Sequence, residues 1–276
     1  MHMTDCLLSP AVGVTMFAAS AAAVTCAAVK IKKDGINFKK AAVSLAAGAA
    51  ILAAQAVNYA IVGTGSSGHI LGAVMLAALV GAAPAMLVMA SVLTVQCFLL
   101  GDGGVLALGA NIFNVGVIPC LIVYPLIFKP LIKNNASMVR TALASVASGI
   151  IALQLGAFGV VLMTQASGIT ALPFVDFTMA MLPIHLAIGL IEGAATAAVL
   201  CLIRKTSPAL MSGALDNPAA VFVPVKKVIA AFAVSALIAG LALPPFASSA
   251  PDGLEWSIEK AAGSAPAAID GPVTGG

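Results

Sequence analysis

Charge is the scarcest property of this chain. Only 8% of its 276 residues are Asp, Glu, Lys or Arg, against roughly 25% in a soluble globular domain. That excludes a water-soluble fold and leaves no basic surface for nucleic acid. Aromatic residues are also few, at 5%. A pocket for a large planar ligand usually has apolar and aromatic walls, so a vitamin-sized substrate is disfavoured. The five cysteines (Cys6, Cys26, Cys97, Cys120, Cys201) show no CxxC or paired spacing, and no disulfide framework is legible. HExxH, GxSxG and GxxxxGK[ST] are missing too. This weighs against an enzyme, and it puts any ATP-driven step on another chain. No run of positive charge precedes the first apolar segment, so a secretory signal is not expected.

What the chain has is hydrophobic sequence. Apolar residues make up 61%, and the mean hydropathy is +1.11. The runs are continuous and long enough for helices of about 20 residues that cross a bilayer. They do not alternate as strands of a membrane barrel would. The fold class is therefore an all-α integral membrane protein, read as a bundle of about seven transmembrane helices plus a C-terminal eighth. The runs cover residues 12–29, 41–62, 70–83 and 85–100, with Pro84 between the last two. A stretch rich in glycine at 101–114 reads as a broken or re-entrant segment, tolerated only where it is buried in protein or lines a cavity. Further runs cover 115–128, 141–163 and 177–203. Residues 1–205 form one membrane domain, 206–227 a cytoplasmic linker, and 228–276 a single helix followed by an external tail.

The basic residues orient the bundle. With the amino terminus outside, the loops at 30–40, 129–140 and 204–227 lie inside and hold twelve of the thirteen Lys and Arg, leaving only Lys260 outside. Met1, His2, the 63–69 loop and the tail then share the outer face.

Chemistry concentrates at the front of the chain. A free amine at Met1, the peptide nitrogen of His2 and His2 Nδ1 can close a five- and a six-membered chelate ring on a divalent metal. Three nitrogens are then nearly coplanar, and one equatorial position stays open. Planar nitrogen donors suit Ni(II), Cu(II) or low-spin Co(II). On its own, a histidine at position 2 is more often an exposed residue on a frayed end. His69 follows Gly63, Gly65 and Gly68, a loop poor in side chains that lets backbone approach an ion, and its imidazole can serve as the fourth donor. A lone loop histidine is more often a surface residue.

His185 and Glu192 lie seven residues apart in the last long run, on one helical face. A carboxylate inside the membrane is functional by default, or else hydrogen-bonds a neighbouring helix. Asp102, Asn111 and Asn114 either orient the ligating imidazoles or satisfy broken backbone. The small residues of the first span (Ala18 to Ala23, Ala27, Ala28) suit close helix packing or a partner subunit.

Several separated motifs resemble one family in the right order. They are Met1-His2, Ser9-Pro10, Gly65-Ser66-Ser67-Gly68-His69-Ile70-Leu71-Gly72, residues 101–114, and His185-Leu186-Ala187-Ile188-Gly189-Leu190-Ile191-Glu192-Gly193. Together they resemble CbiM/NikM, the substrate-binding membrane components of nickel and cobalt energy-coupling-factor transporters. The resemblance covers about residues 1–205. It implies a metal held by the Met1 amine, the His2 peptide nitrogen, His2 Nδ1 and His69, with Asp102, Asn111, His185 and Glu192 as supporting candidates. It implies Ni(II), with Co(II) close behind, as transported substrate, and no prosthetic group. It also implies a transmembrane coupling protein and two ATPase subunits as partners in an inner membrane, with room for a separate small accessory component. Pro251-Asp252-Gly253-Leu254-Glu255-Trp256 looks like the PDGLE domain of that accessory component. Here one helix precedes it and no second span follows, and Cys6 stands where the family more often has glycine. Two other readings fit the composition: an accessory scaffold without a substrate, and a substrate-binding component for another small nutrient.

Overall fold

The computed structural model describes residues 2–133, 137–206 and 225–263. Met1 and residues 207–224 of the expected linker lie outside them. Most of the described chain is helical. In chain order the helices are α1 (Pro10–Asp34), α2 (Phe38–Gln55), α3 (Ala73–Val80), α4 (Ala82–Leu100), α5 (Leu108–Leu131), α6 (Met138–Ser167), α7 (Phe174–Thr206), α8 (Val225–Leu237) and α9 (Gly253–Gly263). A short antiparallel hairpin, β1 (Tyr59–Ile61) and β2 (Ser66–Gly68), links α2 to α3 and pairs Ala60 with Ser67. Five helices, α1 and α4 to α7, are long and apolar enough to cross a membrane. The α2 helix has 18 residues and α8 has 13, and these two pack along each other.

Local signals explain where the long helices start. Ser9 caps α1, its Oγ accepting from the Val12 N–H, and Pro10 takes the first helical position, where no N–H is needed. Ser137 caps α6 through the Arg140 N–H at 3.1 Å.

Two boundaries differ from the sequence expectation. The break expected at Pro84 falls at Gly81, whose φ of 89° suits glycine. Pro84 sits in the first turn of α4, where the N–H it lacks would have no intrahelical partner. The upstream helix α3 has only eight residues, too few to span, and all but Met75 are buried. The broken segment expected over 101–114 is shorter: only 101–107 is non-helical, and residues 108–114 already belong to α5. Gly109, which reads as a helix breaker, serves packing instead. A side chain there would collide with the backbone of Phe17 on α1. Pro119 and Pro125 interrupt the hydrogen-bond ladder of α5, which opens into wider turns over Phe113–Phe128.

The α6–α7 pair forms the platform beneath the site. A Cβ added at Gly149 would come 2.7 Å from the Gly193 Cα, so the two backbones touch. In lipid this kind of close van der Waals packing holds helices together. It fixes the position of Glu192, next in sequence to Gly193, and of His185 two turns earlier.

Candidate metal centre

The amino-terminal segment is threaded into the protein rather than frayed. His2 is 7% exposed and Met3 0%, and Leu7 and Leu8 are buried as well. The Met3 N–H donates to Asn111 Oδ1 at 2.7 Å, and Asn111 Nδ2 donates back to the Met3 carbonyl at 3.0 Å. The Gly104 N–H adds a bond to the same carbonyl at 3.1 Å. Asp5 Oδ1 accepts from the Ala107 N–H at 3.0 Å. The non-helical 101–107 loop therefore spends its spare backbone groups on the entering chain, as buried backbone must.

His2 Nδ1 lies 2.8 Å from Asp102 Oδ2, the imidazole side chain 4% exposed and the carboxylate 44%. Burial alone would raise the Asp102 carboxyl, but the bond and charge of His2 hold it below the usual carboxylate range. His2 Nδ1 is the atom expected in the chelate, so a metal at this position has to displace Asp102.

His69 directly follows β2 and is also buried. Burial lowers its imidazole to about 3, and the neighbouring His2 pushes the same way. His69 is thus neutral across the physiological range, the state a metal ligand requires. The His2 and His69 rings stack with centroids 5.2 Å apart and planes 28° apart. Glu192 reaches the same loop from α7. Its two carboxylate oxygens accept from the Leu71 and Gly72 N–H groups, each at 2.8 Å. It clamps the chain two and three residues beyond His69 rather than bonding a neighbouring helix.

The other candidates sit as follows. Asn111 bonds the entering strand, Asp102 bonds His2, and His185 does not contact His2. His185 Nδ1 donates to the Met181 carbonyl at 2.8 Å, and its ring shares a small cavity with His69. Asn114 turns away toward the Met163 sulfur. Among the described residues, no three His, Cys, Asp or Glu side chains converge as a cage for an ion.

Sequence reading missed the docking of the tail on this loop. The Ser67 N–H donates to the Pro251 carbonyl at 2.8 Å, Ser67 Oγ donates to the Ala250 carbonyl at 2.7 Å, and Trp256 Nε1 donates to the Thr64 carbonyl at 3.0 Å. Asp252 follows in register beside Ser67. Burial would raise its carboxyl, but the positive charge near it and then the Glu255 backbone N–H at the start of α9 hold it well below the usual range. The acidic, proline-containing motif at 251–256 was the one available signal, and it carried no information about which loop it would cover.

A family model described as "Cobalt uptake substrate-specific transmembrane region" matches residues 2–210, and a PDGLE domain model matches residues 226–273. A metal transport protein of Haloquadratum walsbyi is 31% identical over 219 residues, 79% of this chain and 96% of its own length. A fused nickel transport protein of Archaeoglobus fulgidus is 34% identical over 167 residues, 58% of this chain and 52% of the relative. A crystal structure titled as a truncated transition metal transporter superposes with a TM-score of 0.64 at 26% identity, covering 75% of this chain and 99% of that one.

Proposed function

Because this multi-pass membrane chain belongs to the CbiM family of substrate-specific transmembrane regions for cobalt uptake, we propose that it captures Ni(II), or Co(II), as the substrate-binding component of an energy-coupling-factor transporter. The observation that carries this reading is the meeting of His2 with His69, buried and 5.2 Å apart between ring centroids. The ligands are the Met1 amine, the His2 peptide nitrogen, His2 Nδ1 and an imidazole nitrogen of His69. Capture has three parts. His2 Nδ1 leaves Asp102, one of the stacked rings turns to bring its nitrogen into the chelate plane, and the amine and peptide nitrogen release their protons to solvent as they bind the ion. Asn111 and Gly104 hold the strand so that little chain entropy remains to be lost on binding. Glu192 does the same for the His69 loop. Four nitrogen donors reject Mg(II) and Ca(II), which prefer oxygen, and a planar set disfavours tetrahedral Zn(II).

The amino terminus and the tail lie on the outer face of an inner membrane, as the basic loops require. Energy comes from separate chains, a transmembrane coupling protein and two ATPases, because this chain carries no nucleotide-binding motif. The nickel reading draws on the fused relative from Archaeoglobus fulgidus, which is named for nickel transport. Equilibrium dialysis of the purified chain with an untagged amino terminus tests the proposal. It should retain about one Ni(II) or Co(II) per chain; a scaffold without a substrate would retain none.

A further inference from the structure

One buried imidazole is left unused by the chelate. His185 is 0% exposed. Its Nδ1 lies 2.8 Å from the Met181 carbonyl, which can only accept, so Nδ1 carries the proton and Nε2 presents a lone pair. That Nε2 has no hydrogen-bond partner among the described residues. It borders a cavity of about 10 Å³ lined by His69, Leu153, His185, Ile188, Asp252 and Gly253. His69 Nε2 is likewise buried without a partner among the described residues. A buried acceptor left unsatisfied is destabilising, and such groups in native proteins mark an ion, a water or a working site. An imidazole whose other nitrogen donates to a backbone carbonyl is the arrangement that metal-ligating histidines usually show.

The surroundings fit a small cation. The Asp252 carboxylate, whose Oδ1 accepts from the Leu254 and Glu255 N–H groups, adds negative charge at the cavity wall, and Gly253 leaves the approach to His185 clear: a Cβ there would come 3.3 Å from Nε2. The space admits one ion or one water, not an organic ligand. We propose that His185 is a second metal-handling residue: across this cavity from His69, its Nε2 takes Ni(II) or Co(II) from the amino-terminal chelate on the way into the bundle. The inference rests on the chelate reading for the ion's point of entry. No third side-chain donor converges among the described residues, so this station binds more weakly than the chelate. A transfer site must do so, because an ion held as tightly as at entry would not leave.

The test compares four full-length proteins: the chain with its own amino terminus, the chain with one glycine added before Met1, and each with His185→Asn. Asparagine keeps an amide N–H for the Met181 carbonyl and deletes Nε2. Ni(II) affinity is measured by competition with a chelating dye, imidazole ligation by X-ray absorption, and folding by the thermal midpoint in detergent. With the native terminus, H185N should change affinity by less than about threefold. The extended protein should keep a residual site about a hundredfold weaker, with imidazole ligation, and H185N should weaken that site at least about tenfold further. Residual binding that H185N leaves unchanged, or no residual binding in the extended protein, overturns the proposal; a bound water then satisfies Nε2. If the added glycine does not weaken binding at all, the chelate reading fails. H185N still reports on His185 in that protein, since loss of binding supports the inference and unchanged binding overturns it. Should H185N fold poorly, H185S, whose hydroxyl can donate to the Met181 carbonyl one turn back, serves as the second variant under the same criteria.

Discussion

Asn111 holds Met3 by both ends of one amide. Its Oδ1 accepts from the Met3 N–H and its Nδ2 donates to the Met3 carbonyl, 108 residues away in sequence. The side chain mimics a neighbouring strand and makes an internal segment of what would otherwise be a loose chain end. The two residues before Met3 are the proposed chelators, so this clamp sets where they can reach.

Removing the clamp should loosen the site before it unfolds the protein. Asn111→Ala deletes two hydrogen bonds of about 1 kcal/mol each and frees the Met3 backbone. Nickel affinity should drop at least about tenfold, which is 1.4 kcal/mol. Competition binding and the thermal midpoint, measured together, check this; an unchanged affinity would separate the clamp from the site.

Glu192 acts on the other half. Glu192→Gln keeps one acceptor oxygen but turns an NH₂ group toward the second backbone N–H, so either Leu71 or Gly72 loses its partner. The His69 loop should exchange its amide hydrogens faster, and metal affinity should fall about tenfold. A variant in which exchange at 69–72 is unaltered would show that the loop is held by other contacts.

The tail should act as a cover over the His69 loop. Ending the chain after Ala247 removes the partners of Ser67 and Thr64 while leaving β1 and β2 in place. Hydrogen exchange at 64–69 should quicken at least about tenfold. A tag placed after Gly276 should have no such effect. Equal exchange in full-length and truncated protein would mean that the Pro251 contact adds nothing to the loop's stability.

The pH dependence of the metal-free protein follows from His69, whose imidazole is held at about 3 by burial. Between that value and the ordinary value of about 6.5, the unfolded chain binds a proton that the folded chain does not. Stability should therefore be full above about pH 6.5 and decline as pH falls toward 3. Thermal midpoints measured without metal should show this slope, and His69→Ala should make it shallower. A midpoint that rises on acidification would contradict a neutral, buried His69.

Much of this was legible in the sequence where the chemistry is local. The donors of Met1-His2 are spaced by covalent bonds, so their chelate geometry needs no fold. The apolar runs give the helices, because in lipid the backbone must satisfy itself. The break before α4 was misplaced at Pro84, since a proline in a first helical turn loses nothing, whereas the positive φ at Gly81 could not be seen. The roles of Asn111 and Glu192 were open because each side chain serves backbone more than 100 residues away, which no local pattern encodes. The Ser67–Pro251 pairing was invisible for the same reason. It joins the three-residue strand β2 to a loop, and neither has a hydrophobic period to announce it.

The most direct measurement is the nickel content of two otherwise identical proteins, one starting at Met1 and one with a single added residue before it, after gel filtration in metal-free buffer. A chelate built on the Met1 amine requires about one Ni(II) per chain in the first and almost none in the second, with matching thermal midpoints before loading. Equimolar nickel in the extended protein would contradict it.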